Sequence, residues 1–152
     1  MTEDEQRIAE LIRNAFDGIT LGDGVGLSQT DGIDDYATAT VLAELREKDE
    51  KNNWDAIPST DLDRHAGLSF FDAEGMRFHL PAFLIADLEG SLFSATVVFH
   101  LTYIGNDVPT RFELLSEAQR NAVRQFLLLR LSDPNCEFER PLIEEALRRY
   151  WV

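Results

Sequence analysis

The segment Leu68-Ser69-Phe70-Phe71-Asp72-Ala73-Glu74-Gly75-Met76-Arg77-Phe78-His79-Leu80-Pro81 carries the sharpest local signal in the chain. Two apolar runs flank Asp72-Ala73-Glu74-Gly75. Aspartate at the first position of a four-residue turn and glycine at the fourth suit a type I turn with a left-handed bulge. The pattern predicts a β-hairpin, with Leu68 and Phe70 facing inward from one strand and Met76, Phe78 and Leu80 from the other. Strand alternation then turns His79 outward, beside Arg77. Pro81 stops strand pairing and suits the first turn of a helix over 81–88.

On either side of this segment the periodicity is mostly helical. Thr2 and Glu5 match a capping box, and Ile8, Leu11, Ile12, Ala15 and Phe16 follow as one apolar stripe, predicting a helix over 2–16. Residues 17–33 read as a glycine- and aspartate-rich loop, long enough to suggest a function or mobility. A second helix is expected from Asp34 to Glu50, and a short one from Pro58 to Ala66. Residues 92–104 fit two patterns. Ala95, Val97, Phe99, Leu101 and Tyr103 alternate as a strand would, whereas Phe93, Val97, Leu101 and Ile104 fit a helix. Their β-branched content favours a strand. Ser116 with Gln119 opens a strong helix to Ser132, and Pro141 opens the last one. The expected fold class is therefore α+β, predominantly α-helical, with about five helices packed against one small hairpin and a third strand over 94–104 as an option.

Composition bounds the rest. A chain of 152 residues that is 44% hydrophobic fits a single globular domain over 1–152. Such a domain hides roughly 70% of its unfolded surface. Cys136 is the only cysteine, so no intrachain disulfide and no cysteine-based zinc site is expected. The acidic Thr2-Glu3-Asp4-Glu5 is unlike a secretion signal, and the uncharged stretch 90–106 is too short and polar to span a bilayer. A cytoplasmic location is expected. Residues 1–75 hold 18 Asp and Glu against 6 Lys and Arg, and residues 76–152 hold 10 against 8. A surface so acidic repels nucleic acid and anionic membranes and speeds encounter with a basic protein. Twelve of the fourteen basic residues are arginine, which reads as surface ion pairing worth about 0–1 kcal/mol per pair.

No motif names a reaction. His65, His79 and His100 have no second ligand at metal spacing. Asp23, Asp31, Asp34 and Asp35 offer hard oxygen ligands but lack the EF-hand pattern, so no metal is assigned. Gly22-Asp23-Gly24-Val25-Gly26 lacks the spacing of a phosphate loop and places a carboxylate where phosphate would sit. None of the serines lies in a nucleophile elbow, and the acidic neighbour of Cys136 disfavours a thiolate. No cofactor and no catalytic residue is assigned. One constellation stands out: Arg46, Asp49, Trp54, Asp72, Glu74, Arg77 and His79. Either its charged pairs lock the second helix against the hairpin, or it forms a recognition patch with Trp54 as aromatic anchor.

The chain is similar to a bacterial family of small proteins of unknown function, the DUF6714 family. Ile33-Asp34, Arg46-Glu47-Lys48-Asp49-Glu50, Trp54, the run 71–78, Leu80-Pro81-Ala82-Phe83, Phe112-Glu113-Leu114-Leu115-Ser116, Gln119 and Val123-Arg124-Gln125-Phe126-Leu127 carry the likeness. It implies a family label and no activity. Size, acidity and the missing catalytic signature favour a non-catalytic interaction protein of immunity or antitoxin type, with a basic protein as partner. The alternative is a hydrolase using Asp72 or Glu74 with His79. A subunit with no independent role is a third reading.

Overall fold

The computed structural model describes residues 1–65, 67–103 and 108–152, and among these it contains helices and no strand. The expected α+β class is thereby overturned. The elements run α1 (Glu3–Ala15), α2 (Gln29–Asp34), α3 (Ala39–Lys48), α4 (Ser59–Arg64), α5 (Ala73–Leu88), α6 (Val97–Thr102), α7 (Val108–Arg111), α8 (Glu117–Leu131) and α9 (Arg140–Arg149). Single 3₁₀ turns cover Trp54–Ala56, Leu68–Phe70 and Pro134–Cys136.

No hairpin forms at 68–80. Leu68–Phe70 makes a 3₁₀ turn and α5 begins at Ala73. Asp72 is its N-cap, and the Gly75 amide donates to Asp72 Oδ1 at 2.8 Å. A type I turn and the first turn of a helix share nearly the same dihedrals, so Asp-x-x-Gly suits both. What continues the turn into a helix is burial. Met76, Phe78, Leu80, Phe83, Leu84, Ile85 and Leu88 are all buried, as are His79 and Pro81. A helix enclosed on every side has no polar stripe and shows no 3.6-residue period. Pro81 lies inside α5 rather than at its start.

The ambiguous segment resolves as α6, although the Ile104 end of that reading lies outside the described residues. The expected end at Ala66 of the short helix also lies outside them; α4 itself runs to Arg64. The second helix is shorter than expected. The loop expected over 17–33 ends at Ser28, because Gln29–Asp34 form α2, and α3 starts at Ala39, capped by Thr38.

Both capping boxes are present, at Thr2–Glu5 and Ser116–Gln119, so α1 and α8 start where the sequence places them. These two helices pack on each other, α1 also packs on α5, and α9 closes over α6 and α8. Both tryptophans are buried and hydrogen-bonded: Trp54 Nε1 donates to Phe16 O and Trp151 Nε1 to Leu101 O, each at 2.9 Å. Arg130 is the exception to surface ion pairing. It is buried over the Phe126 ring, donates to Asp87 Oδ2 at 3.0 Å, and lies within 3.6 Å of Glu5 and 3.3 Å of Asp133. One guanidinium thus ties α1, α5 and α8. No helix among the described residues is long and apolar enough to cross a membrane.

Candidate functional site

Four of the seven singled-out residues converge on the glycine-rich loop, and they do so by gripping its backbone. At the start of α5, Asp72 Oδ1 accepts the Val25 amide at 3.0 Å in addition to its capping bond. Glu74 accepts the Asp23 amide at 3.0 Å. From α3, Arg46 Nε donates to Gly24 O at 3.1 Å, and its Nη2 donates to Gly22 O. Just past α3, the Asp49 carboxylate accepts the Ser28 amide at 3.0 Å and the Ser28 hydroxyl at 2.9 Å. Gln29 completes the clasp, accepting from Gly26 N at 2.7 Å and donating to Leu42 O at 2.9 Å.

The approach is close because glycine permits it. A Cβ on Gly24 would lie 2.7 Å from the Gly75 amide nitrogen, a contact that no side-chain motion relieves. Arg46 and Asp49 therefore face the loop instead of pairing with each other. Charge-assisted bonds to backbone groups are among the stronger hydrogen bonds, and here they fix a segment that carries little secondary structure of its own.

Trp54, Arg77 and His79 lie elsewhere. Trp54 is only 5% exposed, which removes it as a surface anchor. Arg77 has a buried Nε with no partner among the described residues. His79 points inward, contrary to the strand phase: its ring stacks on Phe71 at 4.3 Å and 11°, and its Nδ1 donates to Gly75 O at 2.7 Å. Burial pulls its pKa down to about 4, against a smaller upward pull from the Gly75 bond and Asp72. No hydrogen bond joins His79 to Asp72 or Glu74.

Three features had no sequence signal. His65 Nδ1 pairs with Asp31 across 34 residues. Asp63 Oδ1 collects the amides of Phe93, Ser94 and Ala95, which hold its carboxyl below the usual range, Ser94 most strongly. A cleft of ≈ 530 Å³ beside the clasp is lined by Lys48, Asp49, Lys51, Asp61, Arg64 and His65 among others. Lys51 is partly committed there, donating to the carbonyls of Arg46 at 2.8 Å and Asp49 at 2.9 Å. Among the described residues no three His, Cys, Asp or Glu side chains gather as a metal site.

The model of DUF6714, a family of unknown function, matches residues 4–152. The chain belongs to the DUF6714 family. No curated protein and no solved structure matches it. In this DUF6714 member Arg46, Asp49, Asp72 and Glu74 hold the loop.

Proposed function

We propose that the chain is a non-catalytic protein-interaction module of immunity or antitoxin type, and that it neutralises a basic partner through the corner between α2 and α3. The observation that supports this reading is a set of carboxylates with no internal use. Asp34, Asp35, Glu44 and Glu47 are exposed and make no ion pair among the described residues. They sit on a unit whose second helix, α3, buries none of its residues.

Tyr36 stands at the tip of this corner, 95% exposed and at φ +56°. Ala37 N donates to Gly32 O at 2.8 Å and Tyr36 N to Ile33 O at 3.1 Å, the pattern of a helix end whose left-handed residue is usually glycine. A tyrosine there costs about 1 kcal/mol that glycine would not. Its ring is available to stack on an arginine of the partner, the aromatic role that Trp54 cannot fill. The hydrolase alternative has less support, because Asp72 and Glu74 are occupied by loop amides and His79 is enclosed.

The test is capture on the immobilised full chain, followed by titration of the purified captured protein. A cationic partner is expected whose affinity falls as salt rises. Asp34→Lys with Glu44→Lys should weaken it roughly tenfold or more. Tyr36→Gly should also weaken binding, yet raise unfolding stability by about 1 kcal/mol. Affinity indifferent to salt and to these substitutions overturns the reading.

A further inference from the structure

Between Leu27 and Trp54 the chain leaves the hydrophobic core. Among the described residues, none of the apolar side chains of 28–53 is buried in that core or belongs to the partly buried fringe packed on it. This stretch packs on itself instead. Leu42 and Leu45 of α3 close over Gly32 of α2, where an added Cβ would lie 2.7 and 2.9 Å from them. Gln29 Nε2 donates to Leu42 O at 2.9 Å and Ala37 N to Gly32 O at 2.8 Å, so the two short helices and their turn brace each other.

One residue pair draws the base of this unit together. The Ser28 amide donates to Asp49 Oδ1 at 3.0 Å and the Ser28 hydroxyl to Asp49 Oδ2 at 2.9 Å, so the segment's entry and exit meet. Beyond that neck, its ties to the body are polar among the described residues. Asp31 pairs with His65 at the end of α4, Arg46 donates to the carbonyls of Gly22 and Gly24, and Gln29 accepts the Gly26 amide. The segment's buried side chain is a hydroxylic one, Thr30, seated against Gly67. Polar bonds exchange for water at a small net cost, whereas buried apolar surface is what makes a segment inseparable from its fold.

We infer that residues 28–49 form a latched arm: once the Asp31–His65 and Arg46 bonds are released, α2 and α3 swing out together about Ser28 and Asp49 while the core stays folded. A hinge at a few loop or element-terminal residues is the usual way for such a unit to move. The arm supplies one wall of the ≈ 530 Å³ cleft, with Leu45 and Lys48, and the body supplies the other, with Ile57, Asp61 and Arg64, so the swing widens this cleft. The loop at 22–25 stays behind, because Asp72 and Glu74 of α5 hold it independently of the arm. The swing is a property of the free chain and needs no docked partner.

Distances between paired nitroxide labels on the full chain, in a Cys136→Ser background, test the arm. Glu44→Cys with Arg124→Cys reports α3 against α8, and Asp35→Cys with Glu44→Cys reports the arm against itself; all three positions are exposed. With the latches intact the arm-to-α8 pair should give one distance. Arg46→Met with His65→Leu should populate a longer one about tenfold more or beyond, since charge-assisted bonds are lost. The within-arm distance and the near-ultraviolet circular dichroism of the buried tryptophans should not change. An arm-to-α8 distance unmoved by the double substitution overturns the proposal. A within-arm distance that spreads at the same time also overturns it, because the segment then melts instead of swinging, and so does an altered near-ultraviolet signal, because the core then opens with it.

Discussion

His79 shows how one residue's setting becomes a property of the whole chain. Its imidazole is neutral in the fold, with a pKa near 4 against an ordinary 6.5, and burial is the main cause. The unfolded chain therefore takes up a proton at a higher pH than the folded chain does. Linkage fixes the sign: the stabilisation is complete above pH 6.5, is lost as pH falls towards 4, and levels off below that. Burial moves His100 the same way, also to about 4, with Arg111 adding to the effect. His79 alone should account for roughly 2–3 kcal/mol of the stability that urea unfolding loses between pH 7 and pH 4.5. His79→Leu should remove that share and leave the part that His100 contributes, even though it alters packing. An unchanged slope would mean that the ring titrates normally. The inward placement was not legible from the sequence. Alternation and helical phase send residue 79 in opposite directions, and only the identity of the element chooses between them.

Among the elements, α5 decides the architecture, and its first turn also holds the loop. Asp72 Oδ1 serves two amides, its own helix's Gly75 and Val25 from 47 residues away. Asp72→Ala should therefore cost more than an ordinary cap, about 2–3 kcal/mol. It should also speed hydrogen exchange at the amides of residues 22–28. Asp72→Asn, which keeps an acceptor, should cost less than half as much. A loss no larger than a simple cap, with exchange unaltered, would show that the grip on the loop contributes nothing. The helices that the sequence announced are those with a polar face, a cap or an opening proline: α1, α3, α4, α8 and α9. Those it concealed are either enclosed, as α5 is, or short: α2 and α6 have six residues each, too few to establish a period. Pro81 misled for a related reason. A proline usually opens a helix, yet here packing on all sides keeps α5 intact although the Arg77 carbonyl has no N–H donor four residues on.

Across the molecule, the acidic residues divide into two populations that composition cannot separate. Glu5, Asp49, Asp63, Asp72 and Glu74 accept backbone amides. Asp34, Asp35, Glu44 and Glu47 remain in solvent without an ion pair among the described residues. The charge imbalance and the family likeness were readable from the chain. The clasp was not, because the charged side chains that grip the loop lie 21 to 51 residues from the backbone groups they hold. With a net charge of −14, repulsion among the solvated group should make the fold salt-sensitive. Raising sodium chloride from about 0.05 M to about 0.5 M should lift the thermal midpoint by roughly 3 °C. A midpoint that falls instead would mean that attractive pairs such as those of Arg130 outweigh the repulsion.

The two enclosed indoles give the chain a built-in optical readout. Trp54 is fastened to the end of α1 and Trp151 to α6, at 5% and 1% exposure, so both should emit at short wavelength while folded and shift to the red as they meet water. Replacing either one by phenylalanine leaves a lamp at a single address, and the two variants together can reveal whether the ends of the molecule come apart in one event or in sequence.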